Sequence, residues 1–122
     1  MGDFLAVADQ FVTFYYNVFD TDRKQLQALY RDQSMLTFES ASVLGAAAIV
    51  EKLTALPFQK VKHVVTTNDA QPTKDGGVIV LVTGQLLVDE EQRPMNFSQT
   101  FQLLAEGNSY YVYNDIFKLI FG

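Results

Sequence analysis

The sequence predicts an α+β fold in which a curved antiparallel sheet wraps one long helix, with two further helices. Two observations predict it. Apolar residues recur at helical spacing through the opening segment, whereas the later chain consists of long runs rich in Val, Thr, Tyr and Phe separated by turn signals. Helices first and a strand meander afterwards is the α+β pattern. The 122 residues make one domain, 1–122, with no internal repeat or linker.

The elements follow in order. Phe4, Val7, Ala8, Phe11, Phe14, Tyr15 and Val18 keep helical spacing, so Asp3 to Phe19 reads as an amphipathic helix whose other face is also partly apolar. Asp20-Thr21-Asp22 offers a stop and a new N-cap, and Arg23 to Tyr30 follows as a short second helix. Met35 to Phe38 reads as a short strand, and Gly45 to Leu56 as a third helix ended by Pro57. Gln59 to Asp69, Gly77 to Val88, Met95 to Ala105 and Ser109 to Phe121 are then antiparallel hairpin strands. Val78-Ile79-Val80-Leu81-Val82 is apolar at every position, so both of its faces need cover. Helices cover one. The other, with Tyr110-Tyr111-Val112-Tyr113, predicts an exposed apolar patch and hence a homodimer formed sheet against sheet.

Composition narrows the chemistry. The absence of Cys removes thiol catalysis, thiolate metal sites and disulfides together, and fits a reducing compartment. Nine basic against 14 acidic residues give a net charge of −5, which repels nucleic acid and favours basic partners. Arg23, Lys24, Lys60 and Lys62 form no basic stripe. No stretch approaches the ~20 apolar residues of a membrane span, and Met1 to Gln10 does not read as a signal peptide. A soluble, unprocessed chain without membrane insertion is expected. With no phosphate loop, dinucleotide fingerprint, HExxH or calcium loop, no cofactor or metal is expected either.

His63 is the single His and the obvious general base near neutral pH. A structural role outweighs that, since no Ser or Asp within sequence reach completes a triad. Asp20, Asp22 and Asp115 are its possible partners. Asp89-Glu90-Glu91 reads first as a solvated hairpin tip, raised in interest by Met95 and Phe97 nearby. Glu39 reads as a solvent-facing carboxylate ending a strand, and Phe4 as core.

Phe14-Tyr15-Tyr16, Phe19-Asp20-Thr21-Asp22-Arg23, Leu36-Thr37-Phe38-Glu39, Ile49-Val50-Glu51-Lys52-Leu53, Leu56-Pro57-Phe58-Gln59-Lys60 and Asn114-Asp115-Ile116-Phe117 together resemble the nuclear transport factor 2 family, most of all its fungal members. The resemblance spans nearly the whole chain in order. It implies a cone-shaped fold of the cystatin-like superfold, dimeric through its sheet, that carries the GDP form of the small GTPase Ran through nuclear pores without catalysis. It also implies residence in cytoplasm and nucleus, concentrated at the pore.

In that family an aromatic of Ran enters an apolar cavity while basic side chains of Ran meet carboxylates at the rim. By position the resemblance makes Glu39, Asp89 and Glu91 the rim, and Phe38, Leu56, Val61, Met95, Ile116 and Phe117 the cavity wall. It makes Phe4 the aromatic that binds phenylalanine-glycine repeats of pore proteins, where animal members carry Trp. A buried aromatic anchor supplies desolvation energy, and rim charges supply orientation and encounter rate. The alternatives are an isomerase or dehydratase using the cone as an active site, which would need His63, an Asp or a Tyr converging on one ligand, and an accessory module that pairs with a larger partner.

Overall fold

A computed structural model describes residues 3–90 and 93–120. Helix α1 (Asp3–Thr21) buries Ala8, Phe11, Val12, Tyr15, Tyr16 and Phe19, positions spaced three and four apart. Phe14, grouped with the inward face from the sequence, is instead 54 % exposed. A 3-10 helix (Arg23–Leu29) follows, capped by the Asp22 carboxylate, which accepts from the Lys24 N–H at 3.1 Å.

Strands β1 (Tyr30–Phe38) and β2 (Ala41–Leu44) form a hairpin turning through Glu39 and Ser40, both at positive φ. Helix α2 (Ala46–Thr54) leads through Pro57 into β3 (Val61–Pro72), β4 (Val78–Val88), β5 (Met95–Glu106) and β6 (Ser109–Ile120). The third helix and the four long strands thus lie where the sequence placed them. The short hairpin arm β2 went unread, and β1 starts five residues earlier than the predicted Met35.

The six strands run in the order β2-β1-β6-β5-β4-β3 in one curled sheet. Every pairing is antiparallel except β1 with β6, which is parallel. The sheet is therefore mixed, because the chain returns to β1's flank only after the whole meander.

Alternation along β4 sends Val78, Val80 and Val82 into the core, while Ile79 and Leu81 stay 39 % and 43 % exposed on the outer face. The ladder sets Leu81, Thr100, Ile116 and Thr37 side by side in one outer row, and Ile79, Gln102, Asn114 and Met35 in the next. The outer face thus carries exposed Met35, Ile79, Leu81 and Ile116 between Thr, Gln and Asn side chains, whereas Tyr111 and Val112, grouped with the exposed patch from the sequence, are buried.

The inner face closes on α1. Phe101 meets Phe11 and Tyr15 at ring-centroid distances of 5.0 and 4.8 Å, and Tyr16 stands edge-on to Phe97 at 5.9 Å. The tight wrap depends on Gly84. A Cβ there would lie 2.2 Å from the Val64 carbonyl oxygen, opposite the register shift between Val65 and Thr67 that bulges β3.

Candidate functional site

Inside the cone lies an apolar cavity of about 200 Å³. It is lined by Phe38, Leu56, Val61, Met95 and Phe117, which the resemblance places in a cavity wall, and also by Phe19, Leu36, Leu53, Pro57, Phe58, Leu86 and Leu119. Phe38 and Phe117 stack at 4.6 Å with rings 4° from parallel, forming one flat panel of the wall. Ile116 is a correction. Asp115 and Phe117 face inward, so strand alternation turns Ile116 to the outer face, where it is 52 % exposed.

The lip of the cavity between α2 and β3 is fastened by Arg23. Its guanidinium donates to the carbonyls of Leu53 (3.2 Å) and Phe58 (2.7 Å) and lies over the Phe58 ring at 5.0 Å. The neighbouring carboxylate Asp89 accepts N–H bonds from Gln59 (3.0 Å) and Lys60 (2.9 Å) through Oδ1. Those two bonds hold its pKa below the usual carboxylate range. Glu39, half-buried, accepts the Leu119 N–H. Both carboxylates therefore sit beside cavity-lining segments and are anchored to backbone, which orients them. The expected third member, Glu91, lies outside the described residues. Phe4 is half-buried in the first turn of α1, against the edge of the core and away from the cavity.

Among the described residues, two polar side chains interrupt the apolar wall, His63 and Gln99. Of the three partners open to His63, the structure selects Asp20: Oδ1 meets Nδ1 at 2.6 Å and Oδ2 accepts the His63 backbone N–H at 2.9 Å. Tyr16 stacks on the imidazole at 4.4 Å. Gln99 donates from Nε2 to Asp115 at 2.7 Å, and its Oε1 accepts the Tyr16 hydroxyl at 2.7 Å.

Asp115 is fully buried and pairs with no cation among the described residues, and its other oxygen accepts from the Tyr30 and Tyr15 hydroxyls at 2.7 and 3.3 Å. Burial pushes its pKa up to about 6 against the opposing pull of the Gln99, Tyr30 and Tyr15 donors. Burial also holds the phenols of Tyr15, Tyr16 and Tyr30 well above their ordinary value, so all three remain neutral donors.

A raised folded pKa means that the stabilising contribution of Asp115 is complete below its unfolded pKa and is lost as pH rises through about 6. Asn at position 115 removes that ionisation. Urea unfolding at pH 4 and pH 8 should show the parent chain losing roughly 2 kcal/mol more stability over this interval than Asp115→Asn.

Fold and site together define a class: an α+β cone whose curled sheet and lead helix enclose an apolar cavity with backbone-anchored carboxylates at its edge. The model of the nuclear transport factor 2 domain matches residues 7–119. The chain belongs to the nuclear transport factor 2 family. It is 61 % identical to nuclear transport factor 2 of Emericella nidulans over 99 % of this chain and 98 % of that one. The solved nuclear transport factor 2 of Cryptosporidium parvum superposes with a TM-score of 0.93 at 42 % identity, covering 98 % of this chain and 96 % of that one. A protein with a cystatin-like fold from Caulobacter vibrioides shares the fold alone, with a TM-score of 0.86 at 12 % identity, over 98 % and 92 % of the two chains. A nuclear transport role is the functional class that these named relatives support.

Proposed function

We propose that the chain is a non-enzymatic carrier that binds Ran-GDP in the cone and crosses nuclear pores by contacting phenylalanine-glycine repeats, shuttling between cytoplasm and nucleus as a homodimer. The observation that carries the reading is the pairing of an aromatic-sized apolar cavity with anchored carboxylates at Glu39 and Asp89. A partner's aromatic would fill the cavity, and its basic side chains would meet the rim. Glu91 joins that rim as a proposal from its position in the sequence. Selectivity for the GDP form would come from where the partner's switch segment sits in each nucleotide state, without contact to the nucleotide.

Calorimetric titration with Ran loaded with GDP and, separately, with a non-hydrolysable GTP analogue tests this. Heat with the GDP form alone is expected. Heat with neither form, or equal heat with both, would overturn the reading.

Phe4, half-buried at the start of α1, is the proposed repeat contact. Removing its ring should weaken retention of Phe4→Ala on a repeat-coated resin about tenfold, in line with the loss of one aromatic anchor, and leave the Ran-GDP titration unchanged. Retention equal to the parent's would discard the assignment.

A further inference from the structure

The carrier reading uses the apolar wall and its rim but leaves His63 and Gln99 without a task. Both line the cavity, and both are nearly sealed from solvent: the His63 side chain is 3 % exposed and Gln99 is 4 % exposed. Each is held from behind. Asp20 on α1 grips His63 at Nδ1 and at the backbone N–H, while Asp115 and the Tyr16 hydroxyl hold both ends of the Gln99 amide. Tyr16 links the two groups, stacking on one and bonding the other. Side chains fixed in this way cannot swing out to find water, so whatever they offer the cavity is fixed in place.

What they offer follows from valence. In the tautomer whose Nδ1–H donates to the Asp20 carboxylate, Nε2 carries a lone pair and accepts. Among the described residues no group hydrogen-bonds Nε2. Gln99 Nε2 carries two hydrogens, of which Asp115 takes one. The rest of the lining is aliphatic and aromatic, with Phe19, Phe58 and the stacked Phe38–Phe117 panel prominent. An apolar cavity with such an acceptor-bearing ring in its wall suits a flat aromatic ligand with a single donor. The volume, about 200 Å³, exceeds the roughly 150 Å³ at which an engineered apolar cavity already takes up benzene.

We propose that the cone is also a small-molecule site, which binds a compact phenol whose hydroxyl donates to His63 Nε2 while its ring lies among Phe19, Phe38 and Phe117. The remaining Gln99 N–H gives an acceptor substituent on the same ring a second point of attachment. This goes beyond the carrier reading and shares only the cavity with it. A phenol and a partner's aromatic side chain exclude one another, so ligand and cargo compete.

The test uses the full chain and three matched probes, 4-ethylphenol, 4-ethylanisole and ethylbenzene, followed by NMR at the His63 imidazole and the cavity methyl groups. The phenol should bind about tenfold more tightly than the other two, the effect of one satisfied hydrogen bond, and should shift the His63 ring signals. Equal affinity for all three would overturn the role of His63. No shift at the cavity methyls with millimolar probe would overturn the site. His63→Phe keeps a ring beside Tyr16 and should level the three affinities; if that variant fails to fold, the probe series on the parent protein still decides. These probes need no protein partner, so their failure leaves the Ran titration untouched, and a failed Ran titration leaves this site standing. If both bind, saturating 4-ethylphenol should displace Ran-GDP.

Discussion

Glu39→Lys should weaken the proposed Ran-GDP binding at least a hundredfold and leave the chain folded. Like-charge juxtaposition at an interface costs several kcal/mol, and reversing a rim charge against a basic partner imposes such a pairing in place of attraction. Glu39 has a second task, however, because its carboxylate accepts the Leu119 N–H beside the cavity. The lysine variant therefore also loses a bond worth about 1 kcal/mol. Glu39→Gln separates the two effects, since its amide oxygen can still accept from Leu119 without the charge. Calorimetry should place the glutamine variant between parent and lysine variant, with melting temperature close to the parent's. Parent-like affinity in the lysine variant would remove Glu39 from the rim.

Ile116→Glu should convert the proposed homodimer to monomer at micromolar concentration, seen as a halved mass in sedimentation equilibrium. Ile116 stands in the outer row between Thr100 and Thr37, one strand beyond Thr100 from Leu81, and is 52 % exposed in the single chain. In a twofold interface each substitution appears twice, so two carboxylates would be buried without partners. The side chain lies on the outer face, and the monomer should keep the parent's far-ultraviolet circular dichroism. A parent chain that is already monomeric, or a variant that remains dimeric, would remove this face as the interface.

Position 116 also shows where the sequence was legible and where it was not. Asn114-Asp115-Ile116-Phe117 announces a strand, but in a strand with apolar residues on both faces hydrophobicity alone does not say which parity faces inward, and one step exchanges cavity for exterior. The resemblance assigned Ile116 and Phe117 together to the wall; the backbone allows only Phe117.

The long helix, the third helix and the meander could be read because their signals are local: spacing, Pro57 and the turn at Glu106-Gly107-Asn108. The pairing of His63 with Asp20 could not, because 43 residues separate them and Asp22 and Asp115 matched equally well by type. Gln99 went unread for a related reason. A Gln in an alternating strand ordinarily faces water, and only the placement of Asp115 and Tyr16 around it explains why it is inside. Rim residues were named through family resemblance; that Glu39 and Asp89 are tethered to backbone was visible only in three dimensions.

The strand order has a kinetic corollary. β2 and β3 are opposite edges of the sheet and never pair, so the cone is an open scroll instead of a barrel, and the chain from one edge to the other runs through α2 and the Arg23-fastened segment. A guest entering along that seam would have to break no rung of the ladder. Admission and release would then be governed by side-chain motion on the nanosecond scale and not by local unfolding, which would suit the proposed carrier.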